Sequence, residues 1–126
     1  VPLIYYGDEI GMPGGGDPDN RRFMQWSGLG SAQTSLKAHI TKLTKIRAAN
    51  KALRYGKRAQ KWMDNDTYVY TMSHAGAELV VLLNRSDSAK TVKPTLAKSS
   101  YTDLLTNKSV TAGSITIPAR SSMVLK

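Results

Sequence analysis

The chain has no cysteine. Disulfides and thiolate-held metal sites are thereby excluded, which fits a reducing cytosol and a bacterial export route equally well. It also lacks any run of roughly 18 apolar residues, so no segment is a candidate membrane-spanning helix. Its first residues do not follow the basic-then-apolar order of a signal peptide, and any targeting segment is expected upstream of them. Acidic residues are scarce, 9 against 18 basic ones, for a net charge of +9. They are absent altogether from residues 37–61, which hold nine lysines and arginines. This block reads either as a patch for nucleic acid or an anionic surface, or as the solvated face of a helix whose acidic counterparts lie elsewhere in a larger protein. No interleaved aromatics, zinc spacing or RNA-binding motif accompanies it, so neither nucleic acid nor membrane is expected as a partner.

What is present divides the chain into three stretches. Residues 1–6 are an apolar run that passes directly into Gly7-Asp8-Glu9, the pattern of a buried parallel strand delivering polar groups at its carboxyl end. Such a strand needs partners on both edges, and no other segment supplies a parallel neighbour with its crossover helix. The chain therefore reads as the end of a larger protein. Residues 7–31 follow as a glycine- and proline-punctuated loop, long enough to be functional rather than a plain connection. From Ser31 the apolar residues Leu36, Ile40, Leu43 and Ile46 recur at helical spacing, which predicts one helix of about 20 residues capped by Ser31 and stopped by Gly56.

After Gly56 the period changes to two. Residues 68–72, 78–83, 101–105, 114–117 and 122–125 are short β-rich runs separated by turn formers, with weaker strand candidates at Trp62 and residues 91–93. This spacing predicts an antiparallel Greek-key sandwich over 56–126, with Val80, Leu82, Ile115, Ile117 and Val124 feeding its core. The boundary with residues 1–55 falls at 54–57.

Three groups of polar residues are candidates for chemistry. Asp17 and Arg21 stand four residues apart beside a proline and a glycine run, so a carboxylate and a planar guanidinium could together read the hydroxyl edge of a sugar, or pair locally to shape the loop. Asp8 and Glu9 look like paired acid and base. Neighbours on a strand point to opposite faces, however, and this favours Glu9 as a structural anchor at the strand end. Asp17, Asp19 and Asn20 lack the later glycine and distal glutamate of a calcium loop, so no metal is expected here.

The residues quoted carry a resemblance to the C-terminal part of α-amylase-family glycoside hydrolases. Ile4-Tyr5-Tyr6-Gly7-Asp8-Glu9 resembles the segment forming the last strand of that family's (β/α)8 barrel. Gly15-Gly16-Asp17-Pro18-Asp19-Asn20-Arg21-Arg22 resembles the substrate loop after it. The resemblance implies an α/β barrel fragment over 1–55 (strand, loop and last helix) followed by an all-β C-terminal domain over 56–126. It implies a retaining hydrolase acting on α-1,4-glucosidic bonds of starch, maltodextrins or cyclodextrins, in which Asp17 and Arg21 bind glucose units and Glu9 organises the barrel end. The family's catalytic trio would lie upstream, leaving the isolated chain inactive, and calcium would belong to the parent enzyme on upstream ligands. The partners implied are an α-glucan or maltooligosaccharide and the remainder of the barrel. The alternative reading is a non-catalytic carbohydrate-binding or structural module.

Overall fold

The computed structural model describes residues 3–126. These fall into two compact units, one ending at Lys45 and the other spanning Ile46–Lys126.

The first unit contains two 3-10 turns, Asp8–Ile10 and Asp19–Arg21, and most of helix α1, Ser31–Ala49. Among the described residues the expected strand is not formed. Residues 3–5 join no ladder and leave Leu3 and Ile4 exposed, while Val1 and Pro2 lie outside the described residues. The cause is the one visible in the sequence: a strand of this kind is held by neighbours on both edges, and the described residues before Lys57 provide none. Gly7, at φ +91°, then turns the chain so that Asp8 and Glu9 sit on a 3-10 turn instead of alternating along a strand. A Cβ at Gly7 would lie 2.8 Å from Met12 Cβ, so the position needs glycine for space as well as for its backbone angle.

Helix α1 begins at Ser31, yet Ser31 is its first helical residue and not its cap. The Gly30 carbonyl accepts the Thr34 N–H and the Thr34 hydroxyl, and Gln33 Oε1 reaches back to the Gly30 N–H at 3.0 Å. This is the glutamine half of a capping box, with glycine, which has no side chain to return the bond, in the cap position. No α1 residue is fully buried, and Leu36 is exposed while Ile40, Leu43 and Ile46 are half-buried. The helix ends earlier than its periodicity suggests. Asn50 takes extended backbone, its side-chain amide donates to the Ile46 carbonyl at 2.7 Å, and a separate short helix α2, Lys51–Tyr55, follows.

The second unit is built on eight strands, all paired antiparallel: β1 (Lys57–Met63), β2 (Thr67–His74), β3 (Ala77–Asn84), β4 (Lys90–Val92), β5 (Ser100–Thr102), β6 (Ser109–Thr111), β7 (Ile115–Ile117) and β8 (Ser121–Leu125). One sheet has the order β1-β2-β3-β8, and β4-β7 and β5-β6 form two ribbons. Ala75 and Gly76, both at positive φ, make the tight β2–β3 hairpin turn whose twist matches its strands. In register, Thr71 faces Val80, Val69 faces Leu82, and both Val80 and Leu82 belong to the face that also carries Leu125 of β8. These side chains meet Val92, Tyr101, Ile115 and Ile117 from the ribbons in one apolar core.

Four of the five expected core residues belong to that cluster. Val124 does not. It pairs with Val81 on the opposite face of the sheet, where it is buried nonetheless. That face is partly covered by α2, whose Ala52 is buried and which packs on β2 and β3. β3 is thus buried on both faces through residues 79–82, the reason its sequence is a continuous apolar run.

Two further expectations change. β6 was not anticipated, and the run over 101–105 stops at Thr102 because Asp103 turns inward. Asp103, 2% exposed, accepts the Val124 and Leu105 N–H groups on one oxygen and the Thr106 hydroxyl on the other. Asn84 plays a comparable role. Its amide donates to the carbonyls of Ser88, Ile117 and Pro118 and its oxygen accepts the Ser86 N–H, tying the β3–β4 loop to the end of β7.

The β1–β2 turn is organised by Asp64. Trp62 Nε1, the Thr67 hydroxyl and the Asp66 and Thr67 N–H groups all donate to its carboxylate. Led by the Trp62 bond, these donors hold its pKa well below the usual carboxylate range. Because the folded value lies below the unfolded one of roughly 3.9, the ionised group stabilises the domain above that pH, and the contribution is lost as pH falls through and below it. Melting temperatures of the wild type and Asp64→Asn are therefore expected to differ at neutral pH and to converge below about pH 4. A gap that persists unchanged to pH 2 would remove Asp64 as the source.

Candidate functional site

The loop over residues 12–22 is held by two ion pairs that interleave along the chain. Asp17 and Arg21 meet at 3.0 Å (Nε to Oδ1) and 3.2 Å (Nη2 to Oδ2), as their spacing allows. Both side chains remain open, 67% and 64% exposed respectively. The guanidinium and the carboxylate therefore pair edge to edge while keeping further donors and acceptors turned to solvent, as a polyhydroxylated ligand requires. The Asp17–Pro18 peptide is cis.

The second pair joins Asp19 to Arg22, with Nε to Oδ1 at 2.6 Å and Nη2 to Oδ2 at 2.9 Å. Asp19 Oδ2 also accepts the Gly15 N–H at 2.8 Å. The Arg22 guanidinium, then the Gly15 N–H, hold the Asp19 carboxyl below the ordinary range, and Arg22 is raised in return. A Cβ at Gly15 would lie 3.1 Å from Asp19 Oδ2, so the residue there is small because the carboxylate sits against it. Arg22 is linked onward through its carbonyl, which accepts the Tyr6 hydroxyl at 2.9 Å. A cleft of about 220 Å³ lies inside this arrangement, lined among others by Tyr6, Asp8, Met12, Asp19 and Arg22.

The sequence reading brought out Asp17 and Arg21 as a pair, weighed Asp19 only as a calcium-loop carboxylate, and gave Arg22 no role of its own. The signal was present as opposite charges three residues apart, but it was absorbed into the more familiar-looking spacing beside it. Glu9 is half-buried, and its Oε2 accepts the Gly7 N–H at 3.0 Å, closing its own turn. Asp8 does the same for the Tyr5 N–H at 2.9 Å. Tyr5 and Tyr6 pack ring on ring with centroids 4.6 Å apart, and Trp26 and Phe23 stand 81% and 100% exposed. Among the described residues no group of three or more His, Asp or Glu side chains is arranged to hold a metal ion.

Residues 62–126, from within β1 to β8, match the family model of the cyclo-malto-dextrinase C-terminal domain. The chain belongs to this family. The α-amylase of Niallia circulans is 39% identical over 123 residues, covering 93% of this chain and 22% of that protein. The cyclomaltodextrin glucanotransferase of Niallia circulans is 40% identical over 109 residues, covering 83% of this chain and 15% of that protein. The crystal structure of an Anoxybacillus α-amylase superposes with a TM-score of 0.85 at 25% identity, covering 99% of this chain and 28% of that one. The chain thus spans between 15% and 28% of these relatives' lengths. The cyclo-malto-dextrinase C-terminal domain accounts for the strand unit from Trp62 onward, and the charged loop lies outside the matched residues.

Proposed function

We propose that this chain is the C-terminal portion of a retaining glycoside hydrolase of the α-amylase family, acting on α-1,4-glucosidic bonds of starch, maltodextrins or cyclodextrins. In this reading residues 1–55 are the last strand, substrate loop and helix of a (β/α)8 barrel, and residues 56–126 are the Greek-key sandwich domain that follows it. The observation that carries the proposal is the Asp17–Arg21 pair. It is a forked charge pair held open to solvent on a glycine-rich loop, in a chain whose relatives include an α-amylase and a cyclomaltodextrin glucanotransferase. Barrel active sites gather at the C-terminal strand ends and the loops that follow them, and this loop follows the segment proposed as the last strand.

Asp17 and Arg21 would grip a glucose unit of a maltooligosaccharide, and Glu9 would anchor the strand end. The chemistry of a retaining glycosidase needs a carboxylate nucleophile and a carboxylic acid flanking the bond. Asp8 and Glu9 are each committed to a backbone N–H of their own turn, so the trio is assigned to residues outside this chain. Any calcium would likewise belong to the parent enzyme. The exposed Leu3, Phe23 and Trp26 and the half-buried stripe of α1 are consistent with surfaces that the rest of a barrel would cover.

The test compares the 126-residue chain with the full-length protein. Full-length protein is expected to release maltooligosaccharides from soluble starch with retained anomeric configuration, and the isolated chain to release none. Cleavage by the isolated chain would overturn the assignment of the chemistry to other residues. An inactive full-length protein whose isolated chain is nevertheless retained on amylose would favour a binding module.

A further inference from the structure

We propose that Asp19 is a positioning residue for sugar binding, acting through Asp17 and Arg21. The inference rests on the assignment of those two residues as sugar ligands. Asp19 sits two residues after Asp17 and two before Arg21, and its carboxylate is bonded on both sides. Oδ2 takes the Gly15 N–H at 2.8 Å, which closes the chain behind Asp17. Oδ1 and Oδ2 together take Arg22, which closes the chain beyond Arg21. Arg22 is in turn held by the Tyr6 hydroxyl on its carbonyl at 2.9 Å, so the closed loop is tied to the segment preceding it.

The two ion pairs differ in kind. Asp17 and Arg21 contact only each other among the bonds described for their side chains, and both are about two-thirds exposed. Asp19 and Arg22 are each 47% exposed, and each is also bonded to the loop or to its neighbour. One pair is free to face a ligand and the other fixes the backbone on either side of it. The energetic reason for such a division is that a ligand gains affinity when the groups it meets are already oriented, because the ordering cost is met in folding and not at binding. Without the Asp19 carboxylate, Gly15 would lose the acceptor of its N–H, leaving the Asp19 N–H on the Gly16 carbonyl as the turn's remaining bond there, and glycine loses the most freedom when it is ordered.

Asp19→Ala and the isosteric Asp19→Asn are tested in the full-length enzyme beside Asp17→Ala, Arg21→Ala and the pairwise combinations. Asp19→Ala is expected to raise KM for short maltooligosaccharides by about tenfold while changing kcat much less, the pattern of lost uniform binding. Asp19→Asn, which keeps an acceptor for Gly15 but loses the charge toward Arg22, is expected to fall between Asp19→Ala and wild type. The decisive arm is the combination. In an Arg21→Ala background, Asp19→Ala should add less than it costs alone, because one of the two groups it positions is already gone. If Asp17→Ala and Arg21→Ala impair binding but Asp19→Ala and Asp19→Asn do not, the inference is overturned and the sugar-binding assignment stands. Full additivity of Asp19→Ala with Arg21→Ala also overturns it, since Asp19 would then act independently. If none of the four single variants alters KM or kcat, the sugar-binding assignment itself falls and takes the inference with it. Should Asp19→Ala not fold, Asp19→Asn and its combination with Arg21→Ala carry the same readouts.

Discussion

Replacing Asp17 or Arg21 by alanine in the full-length enzyme is expected to lower kcat/KM on maltooligosaccharides by about tenfold to a few hundredfold. Each change removes a charge-assisted hydrogen bond of roughly 1.5–3 kcal/mol to the sugar. The double variant should lose well short of the sum, because the two side chains are already bonded to each other and would hold one ring together. The competing account is that the pair only shapes the loop. An exposed ion pair is worth about 0–1 kcal/mol, so that account expects a small fall in melting temperature with kcat/KM unchanged. The two accounts therefore separate on activity, and wild-type kinetics from both single variants would end the sugar-binding assignment.

The second large effect concerns neighbouring leucines of β3. Leu82 is fully buried in the core between the sheet and the ribbons, whereas Leu83 points to the other face and is 41% exposed. Leu82→Ala should destabilise the strand unit by about 2–5 kcal/mol, the transfer loss together with the cavity left behind. For a domain of this size each kcal/mol shifts the midpoint by roughly 4–8 °C, so the midpoint of the variant chain should fall by about 8–40 °C. Leu83→Ala in the same 126-residue chain should cost far less, since most surface changes stay within about 0.5 kcal/mol. Urea unfolding followed by circular dichroism measures both, with a constant slope showing that stability and not compactness has changed. Equal shifts for the two variants would mean that the register pairing Val69 with Leu82 is wrong.

The hairpins were readable because their information is local. Ala75-Gly76 permits two successive positive φ angles, and the flanking residues alternate or run apolar as the faces of β2 and β3 demand. The helical stripe from Leu36 to Ile46 was readable for the same reason. β6 escaped notice because Ser109-Val110-Thr111 has one apolar side chain and is made a strand only by its partner β5. Asp103 could not be distinguished from a surface carboxylate until Val124, distant in sequence, brought its N–H to it.

Asp19 and Arg22 belong to the same class. Their spacing was in plain view, but what distinguishes them from Asp17 and Arg21 is the Gly15 N–H and the Tyr6 hydroxyl, which a sequence does not place. Local periodicity shows which residues share a face of a helix or strand, since that follows from backbone geometry alone. Which faces are covered depends on contacts between distant segments, and so did Val124 lying beside Val81 and not in the main core. The run before Gly7 has the composition of a buried strand, and its described residues, 3–6, join no ladder because the bonds that make a strand must come from another segment.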